Sequence, residues 1–161
     1  MTARRAVPFL FLALVAPAFA DSKGQVGYPT GFRKWAFVKS MAIVSDKHPL
    51  FGAFGGFHQV YANPAALDAF VKSKDFPDGS MIVFDLHEAK DDNGAWVGGD
   101  RKLVAVMVKD RAAYKTTGGW GFDAFKGDSQ TERTVTDPAK DCFGCHQNQK
   151  KNDFVFSAYE P

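Results

Sequence analysis

The sequence predicts an α+β fold, mainly an antiparallel β-sheet with a few short helices. Several apolar stretches alternate between two faces or are rich in β-branched residues, as is typical of strands. Only two stretches carry the capping residues that begin helices. No internal repeat, low-complexity tract or linker divides the chain, so we expect one domain.

Four strands are predicted, over residues 34–44, 57–63, 80–90 and 101–110. In the third strand, Ile82, Phe84 and Leu86 share one face, whereas Val83 and Asp85 begin a second face that should become solvent-exposed toward its end. The fourth strand is a continuous apolar run bounded by charges, which predicts a buried strand. The glycine- and aspartate-rich residues between them predict an antiparallel hairpin with a long loop.

Two helices are predicted from their first residues. Asn63 is a typical N-cap, and Pro64 follows it at the first helical position. A second short helix is expected from Pro138, with Asp137 as its cap, and continues through the only two cysteines of the chain.

The first twenty residues have the features of an export signal. Two arginines precede an apolar run over residues 6–15, and Ala18 and Ala20 have the spacing that signal peptidase cleaves. The apolar run is shorter than the ~20 residues that a membrane-spanning helix needs. We therefore expect cleavage after Ala20 and a mature domain over residues 21–161 without a membrane span.

Composition narrows the possible functions. The formal net charge is +2, and the lysines are spread along the chain, so no nucleic-acid-binding surface is predicted. Sixteen phenylalanines exceed what a core of this size requires. They fit either a Phe-rich core or the lining of a large flat cofactor.

Cys142 and Cys145 form a CxxCH motif with His146 near the end of the chain. A disulfide across two intervening residues would constrain little loop entropy, and zinc would lack a fourth ligand. A thioredoxin-type redox motif normally follows a first strand near the chain start. The motif therefore favours covalent attachment of one haem c, with thioethers from both cysteines and His146 as the iron ligand.

No methionine follows the motif. Met41, Met81 and Met107 all precede it, and the tail offers only Lys150 and Lys151 as other donors. A small electron-transfer cytochrome usually supplies an axial methionine far downstream of its haem motif. The order found here predicts a five-coordinate iron, with plain electron transfer as a further alternative.

Several sequence blocks, in the same order and over most of the mature chain, resemble those of the cytochrome P-460 and cytochrome c′-beta family. They read VYANPAALDAF, FPDGSMIVFDL, VAVMVKD, TTGGWGFDAF and CFGCH followed by DFVFSAY. The resemblance implies a periplasmic, mostly β, homodimeric c-type haem protein with an open distal side. It makes Cys142 and Cys145 the thioether residues and His146 the proximal ligand.

The family that the chain resembles has two functions. Its hydroxylamine-oxidising members carry a lysine cross-linked to the haem and a distal carboxylate, whereas its c′-beta members lack the cross-link, line the distal side with phenylalanines and bind small gases. The resemblance places the lysine within residues 48–63, which contain none. Lys47 lies just before this stretch, and Lys34 and Lys39 lie earlier.

Phenylalanines stand where that lysine is expected. The candidate distal lining residues are Phe32, Phe37, Phe54 and Phe57, with Phe51 beside them. A phenyl ring donates no hydrogen bond and excludes water, so only a small uncharged ligand would fit a five-coordinate iron beneath it.

Four polar residues are weighed as further site candidates. Asp123 lies where the family can place a distal carboxylate, although an aspartate in a glycine-rich loop is more often a turn residue. His58, within the phenylalanine-rich stretch, is a candidate distal base or sixth ligand, with a hydrogen-bonded strand histidine as the alternative. His48 is interpreted as a loop residue and His87 as lying on the wetter face of its strand.

We therefore expect a periplasmic cytochrome whose haem binds nitric oxide or carbon monoxide for scavenging, transport or sensing. The alternative is a hydroxylamine-oxidising enzyme with Asp123 or His58 as proton acceptor and a periplasmic cytochrome as electron partner.

Overall fold

The computed structural model describes residues 25–72 and 75–160. One antiparallel sheet holds five strands, each paired with the next along the chain: β1 (Ala36–Ile43), β2 (Gly56–Ala62), β3 (Met81–Asp92), β4 (Ala95–Lys109) and β5 (Trp120–Lys126). The predicted α+β fold with a mainly antiparallel sheet is confirmed. The expected signal peptide lies outside the described residues, and within these residues no helix could cross a membrane.

The hairpin between β3 and β4 is longer and tighter than predicted. Strand pairing continues to Asp92 opposite Ala95, and only Asn93 and Gly94 form the turn. Both have positive φ, at 53° and 85°, as the favoured two-residue hairpin turn requires. The predicted long loop is therefore wrong, because an Asn-Gly turn lets the strands pair to their ends.

β5 was not among the predicted strands. Its glycine-rich entry suggested a loop, yet residues 120–126 pair with β4 along their whole length. Gly118 and Gly119 form the turn before the strand, both with positive φ, and the strand itself begins at Trp120. The glycines thus mark the start of β5.

The helices are short. α1 (Phe51–Phe54) precedes β2, and α2 (Pro64–Lys72) begins as predicted, because the Asn63 Oδ1 accepts hydrogen bonds from the backbone N–H groups of Ala66 and Met81, each at 3.0 Å. Near the C-terminus a π-helical turn, Ala139–Phe143, leads into α3 (Gly144–His146) and a 3₁₀ segment, Gln147–Asn152. The Asp137 carboxylate accepts from the Ala139 N–H at 3.1 Å, as a cap does.

The sheet has two unlike faces. The face that we call the motif face packs against α2 and the C-terminal segment, and it carries His58, Val60, Ala62, Ile82, Phe84, Ala105, Met107, Phe122 and Ala124. The opposite face lies beneath residues 26–35 and carries Tyr61, Val83, Asp85, Val104, Val106, Asp123 and Phe125. Along this face of β3, Val83 and Asp85 are fully buried beneath residues 26–35, whereas His87 is partly buried and Asp91 is exposed. The predicted exposure toward the end of the strand therefore agrees with the structure.

Candidate haem site

The two cysteines of the motif are free thiols in different surroundings. Cys145 is exposed, whereas Cys142 packs partly buried against the core of the motif face. Burial raises the pKa of the Cys142 thiol from 9.0 to about 11, and the nearby Asp141 and Cys145 add to the rise. A thiol–disulfide exchange centre needs a ready thiolate, which this environment disfavours. The pair is therefore unlike a redox dithiol.

His146 is held in one tautomer by the chain that follows it. Its Nδ1 lies 2.7 Å from the carbonyl oxygen of Phe154. Because a carbonyl can only accept, Nδ1 carries the proton and Nε2 keeps its lone pair. Burial lowers the pKa of His146, against the opposing effect of the hydrogen bond to Phe154, so the ring is neutral near pH 7. A neutral imidazole with Nδ1–H bonded to a carbonyl is the usual form of a metal-ligating histidine.

Aromatic rings fix the plane of this imidazole. Phe122 on β5 lies 4.9 Å from it between ring centroids, and Phe156 lies edge-on at 5.0 Å. Phe156 is itself 56% exposed, which is unusual for a phenylalanine and leaves apolar surface beside the histidine.

The motif face is incompletely covered next to α1. Phe54 is 38% exposed and packs edge-on against Phe84 at 5.9 Å, and the His58 ring contacts Phe84 from 4.8 Å. Phe84 pairs across the sheet with Ala105, which in turn pairs with Ala124. Ala105 is small and partly exposed, so apolar surface stays open beside Phe84, whereas Ala124 is buried. These residues, with the free thiols and the neutral imidazole, fit a haem.

Within residues 25–72 and 75–160, no group of three or more His, Cys, Asp or Glu side chains lies close enough together to hold a metal ion.

The candidate distal phenylalanines divide between the two faces. Phe54 lies on the motif face against Phe84. Phe32 belongs to the core of the opposite face, where it packs against Tyr61. Phe37 pairs with that same tyrosine, and Phe57, one residue before His58, also points away from the motif face.

The proximity of phenylalanines in sequence therefore did not predict proximity in space. Side chains alternate between the faces of a strand, so neighbours such as Phe57 and His58 are separated by the sheet. The prediction that Phe32, Phe37 and Phe57 line the site is therefore corrected, because all three lie on the opposite face.

Asp123 is likewise corrected. It lies within β5 and not in a loop. Its sequence neighbours Phe122 and Ala124 are on the motif face, so the Asp123 side chain is on the opposite face. Its carboxylate is paired with Arg133 and accepts from the Ala124 N–H at 2.8 Å. The sheet thus separates this carboxylate from His146.

His58 is buried on the motif face, and its Nε2 lies 2.5 Å from the Phe54 carbonyl oxygen. Nε2 therefore donates, and Nδ1 holds the remaining lone pair. Burial lowers the pKa of His58, and the charge of Lys102 contributes to the shift. His48 is exposed near α1, and His87 lies on the opposite face beside Asp85, at 3.2 Å.

Of the lysines noted in the sequence, Lys39 lies on β1 opposite Val60 of the motif face, and its amine is paired with Glu160 at 2.9 Å. Lys34 and Lys47 are exposed. A lysine that the sequence did not single out, Lys102 on β4, donates to the Gly55 carbonyl oxygen at 2.8 Å and so places its amine beside Phe54 and His58.

Sequence reasoning also missed the aromatic neighbours of the site. Phe84 and Phe122 are found by strand alternation once the motif face is known, since both share it with His58 or His146. Phe156 has no local signal, because its position depends on the path of the chain after the motif.

Comparison with known families agrees with this geometry. The family model described as Cytochrome P460 matches residues 29–157, which is most of the chain and includes the motif. A search of curated proteins found no match. The chain therefore belongs to the cytochrome P460 family, which makes it a c-type haem cytochrome.

Proposed function

We propose that this protein is a periplasmic c-type cytochrome whose five-coordinate haem binds a diatomic gas, nitric oxide or carbon monoxide, for scavenging, transport or sensing. One haem would be held by thioethers to Cys142 and Cys145, with His146 Nε2 as the proximal ligand. When bound, the haem supplies an iron with one open coordination position.

One observation carries the proposal: the neutral His146 and an apolar, partly uncovered surface share one face of the sheet. On that face, Phe54, Phe84 and Ala105 offer no hydrogen-bond donor from their side chains, and the His58 Nε2–H is engaged by the Phe54 carbonyl. Such apolar surroundings favour a small uncharged ligand. The lone pair on His58 Nδ1 is the proton acceptor that hydroxylamine oxidation, the alternative, would use. Asp123, a candidate proton acceptor, is ion-paired on the opposite face.

The location and assembly in this proposal rest on the sequence and on the family resemblance. Export is supported by the first twenty residues, and a homodimer by the resemblance. The edge strand β1 exposes Phe37 and Met41, each about half exposed, which is compatible with a partner along this edge.

The first test is the haem itself. Intact mass and acid–acetone extraction of periplasmically expressed protein should show one haem that stays with the polypeptide, and Cys142→Ala should lose one thioether. Resonance Raman of both oxidation states should show high-spin, five-coordinate iron. Haem that extracts freely, or a low-spin signal that disappears in His58→Ala, would contradict the proposal.

The alternative, hydroxylamine oxidation, is favoured by the position of Lys102. Its amine lies beside Phe54 and His58, on the same part of the molecule as the uncovered motif face. A lysine cross-link would red-shift the main haem band of the ferrous protein, and Lys102→Arg would abolish the shift. Hydroxylamine turnover with a chemical acceptor, present in the wild type and lost in Lys102→Arg, would establish the enzyme.

A further inference from the structure

A buried ion pair lies beneath the turn that follows the haem motif. Lys109, at the end of β4, is 2% exposed, and its Nζ lies 2.6 Å from the Asp153 carboxylate and 3.2 Å from the Gly118 carbonyl oxygen. The ammonium also lies 4.8 Å from the centre of the Trp120 ring. A lysine loses much hydration free energy in such a place, so it persists only where its partners are fixed.

Both carboxylate oxygens of Asp153 and its backbone carbonyl oxygen accept hydrogen bonds that hold this turn. One carboxylate oxygen accepts from Lys109, and the other accepts from the Phe76 backbone N–H at 3.1 Å. The Asp153 carbonyl accepts from the Trp120 Nε1–H at 2.8 Å. These contacts connect the C-terminal segment to β4, to β5 and to the chain just before β3.

The turn has an unusual backbone. Asp153 and Phe154 both have positive φ, at 49° and 66°, and neither is glycine. Consecutive left-handed residues with side chains are unfavourable unless their surroundings enforce them. The Asp153 contacts provide that enforcement.

Phe154 is the residue whose carbonyl orients His146. Its oxygen accepts from His146 Nδ1 at 2.7 Å, and its ring packs against Phe143 at 5.3 Å. The other side of the ring lies against Gly118, where a Cβ atom would overlap it. The hydrogen bond to His146 therefore depends on a backbone turn that the buried ion pair fixes.

We propose that Lys109 and Asp153 are positioning residues for the proximal ligand: they fix the Phe154 carbonyl that holds His146 Nδ1–H, and so set the orientation and basicity of Nε2 toward the iron. The proposal rests on His146 being the iron ligand, as proposed above. A histidine whose Nδ1–H is firmly bonded is a stronger donor, and it stabilises the oxidised iron.

The test uses the holoprotein and compares Lys109→Met with Asp153→Asn. The two changes remove charges of opposite sign, so direct electrostatic effects on the reduction potential would be opposite. A positioning role predicts the same result in both variants: a lower iron–histidine stretching frequency in ferrous resonance Raman and a higher reduction potential. Lys126→Met, which removes an exposed lysine paired with Glu132 at 2.9 Å, is the matched control and should change neither.

Hydrogen exchange measured by mass spectrometry gives a readout that does not depend on the iron. Peptides covering residues 150–160 should exchange faster in both variants and be unchanged in the control. Gly118→Ala keeps both charges but displaces the Phe154 ring, so it should also lower the stretching frequency, and it serves if Lys109→Met fails to fold.

The outcomes separate the two proposals. Opposite shifts of potential, an unchanged stretching frequency, or unchanged exchange in the variants would overturn the positioning role. If the iron–histidine band of the wild type is still present in His146→Ala, His146 is not the proximal ligand. This control is measured before the positioning variants, so failure of the proposed ligand is recognised separately.

Discussion

The two faces of the sheet differ in how completely their side chains are covered. On the opposite face, Val83, Asp85, Val104 and Phe125 are fully buried beneath residues 26–35. On the motif face, Phe54 and Phe156 are 38% and 56% exposed, and the residues between them are small or partly uncovered. Phe37 is also half exposed, but it lies at the β1 edge of the opposite face and outside this buried layer. Exposed aromatic surface beside the motif marks a binding site, whereas the apolar layer beneath residues 26–35 supplies stability.

The charged groups follow the same division. Asp85 on the opposite face is completely buried and accepts hydrogen bonds from Arg101 Nε and Arg33 Nη1, each at 2.7 Å. Asp123 and Arg133 form a second ion pair on that face. Buried carboxylates with several charged partners hold elements together but are poorly placed to exchange protons with a ligand.

The comparison is tested most strongly by Asp85→Ala. Removal of a buried carboxylate leaves the Arg101 guanidinium without its main partner, which should lower the free energy of unfolding by about 3–5 kcal/mol. The haem spectrum and the rate of carbon monoxide binding should stay unchanged, because the sheet separates this residue from His146. Chemical denaturation and stopped-flow absorbance measure the two quantities.

Glu132→Gln provides the reference for Asp85→Ala, since it breaks an exposed pair with Lys126 and should lower the free energy of unfolding far less. An equal loss in both variants, or an altered haem spectrum in Asp85→Ala, would remove the division between the faces.

A smaller effect is expected from two phenylalanines three residues apart. Phe54→Ala removes a ring from the motif face and should speed carbon monoxide association several-fold, because it opens the surface beside Phe84. Phe57→Ala removes a ring from the opposite face and should leave the rate unchanged. Flash photolysis of the ferrous complex measures both, and faster association in Phe57→Ala alone would reverse the assignment of the faces.

The sequence predicted the parts of this molecule that depend on local pattern. Strand alternation, the Asn63 cap and the CxxCH motif each depend on residues within about one turn or strand of one another, and the fold class and the caps agree with the structure. The Asn-Gly turn was also visible in the sequence, but the glycines and aspartates around it suggested a loop.

The remaining parts depend on contacts between distant segments. Lys109 and Asp153 are 44 positions apart, and no local pattern joins them. The register of the five strands decides which phenylalanines share a face with His146. Asp123 was interpreted as a loop residue because two glycines precede its strand. The residues around the site were therefore harder to predict than the motif.

The smallest predicted effect is the pH dependence of the free energy of unfolding that arises from His58 on the motif face. Burial lowers the pKa of His58 below its ordinary value of 6.5, with the charge of Lys102 acting in the same direction and the bond to Phe54 opposing it. The unfolded chain therefore takes up a proton near pH 6.5, whereas the folded chain does so only at lower pH. Stability is complete above pH 6.5 and falls as the pH drops toward the folded-state pKa, by at most about 1.4 kcal/mol per pH unit for one histidine.

His58→Gln isolates this contribution, because glutamine can still donate to the Phe54 carbonyl but does not titrate. Denaturant unfolding of the holoprotein from pH 7.5 down to 5 should show a shallower decline in the variant than in the wild type. His146, as the proposed iron ligand, would contribute equally in both proteins and so would not add to the difference. A slope that is as steep in His58→Gln as in the wild type would show that the pH sensitivity does not arise from His58.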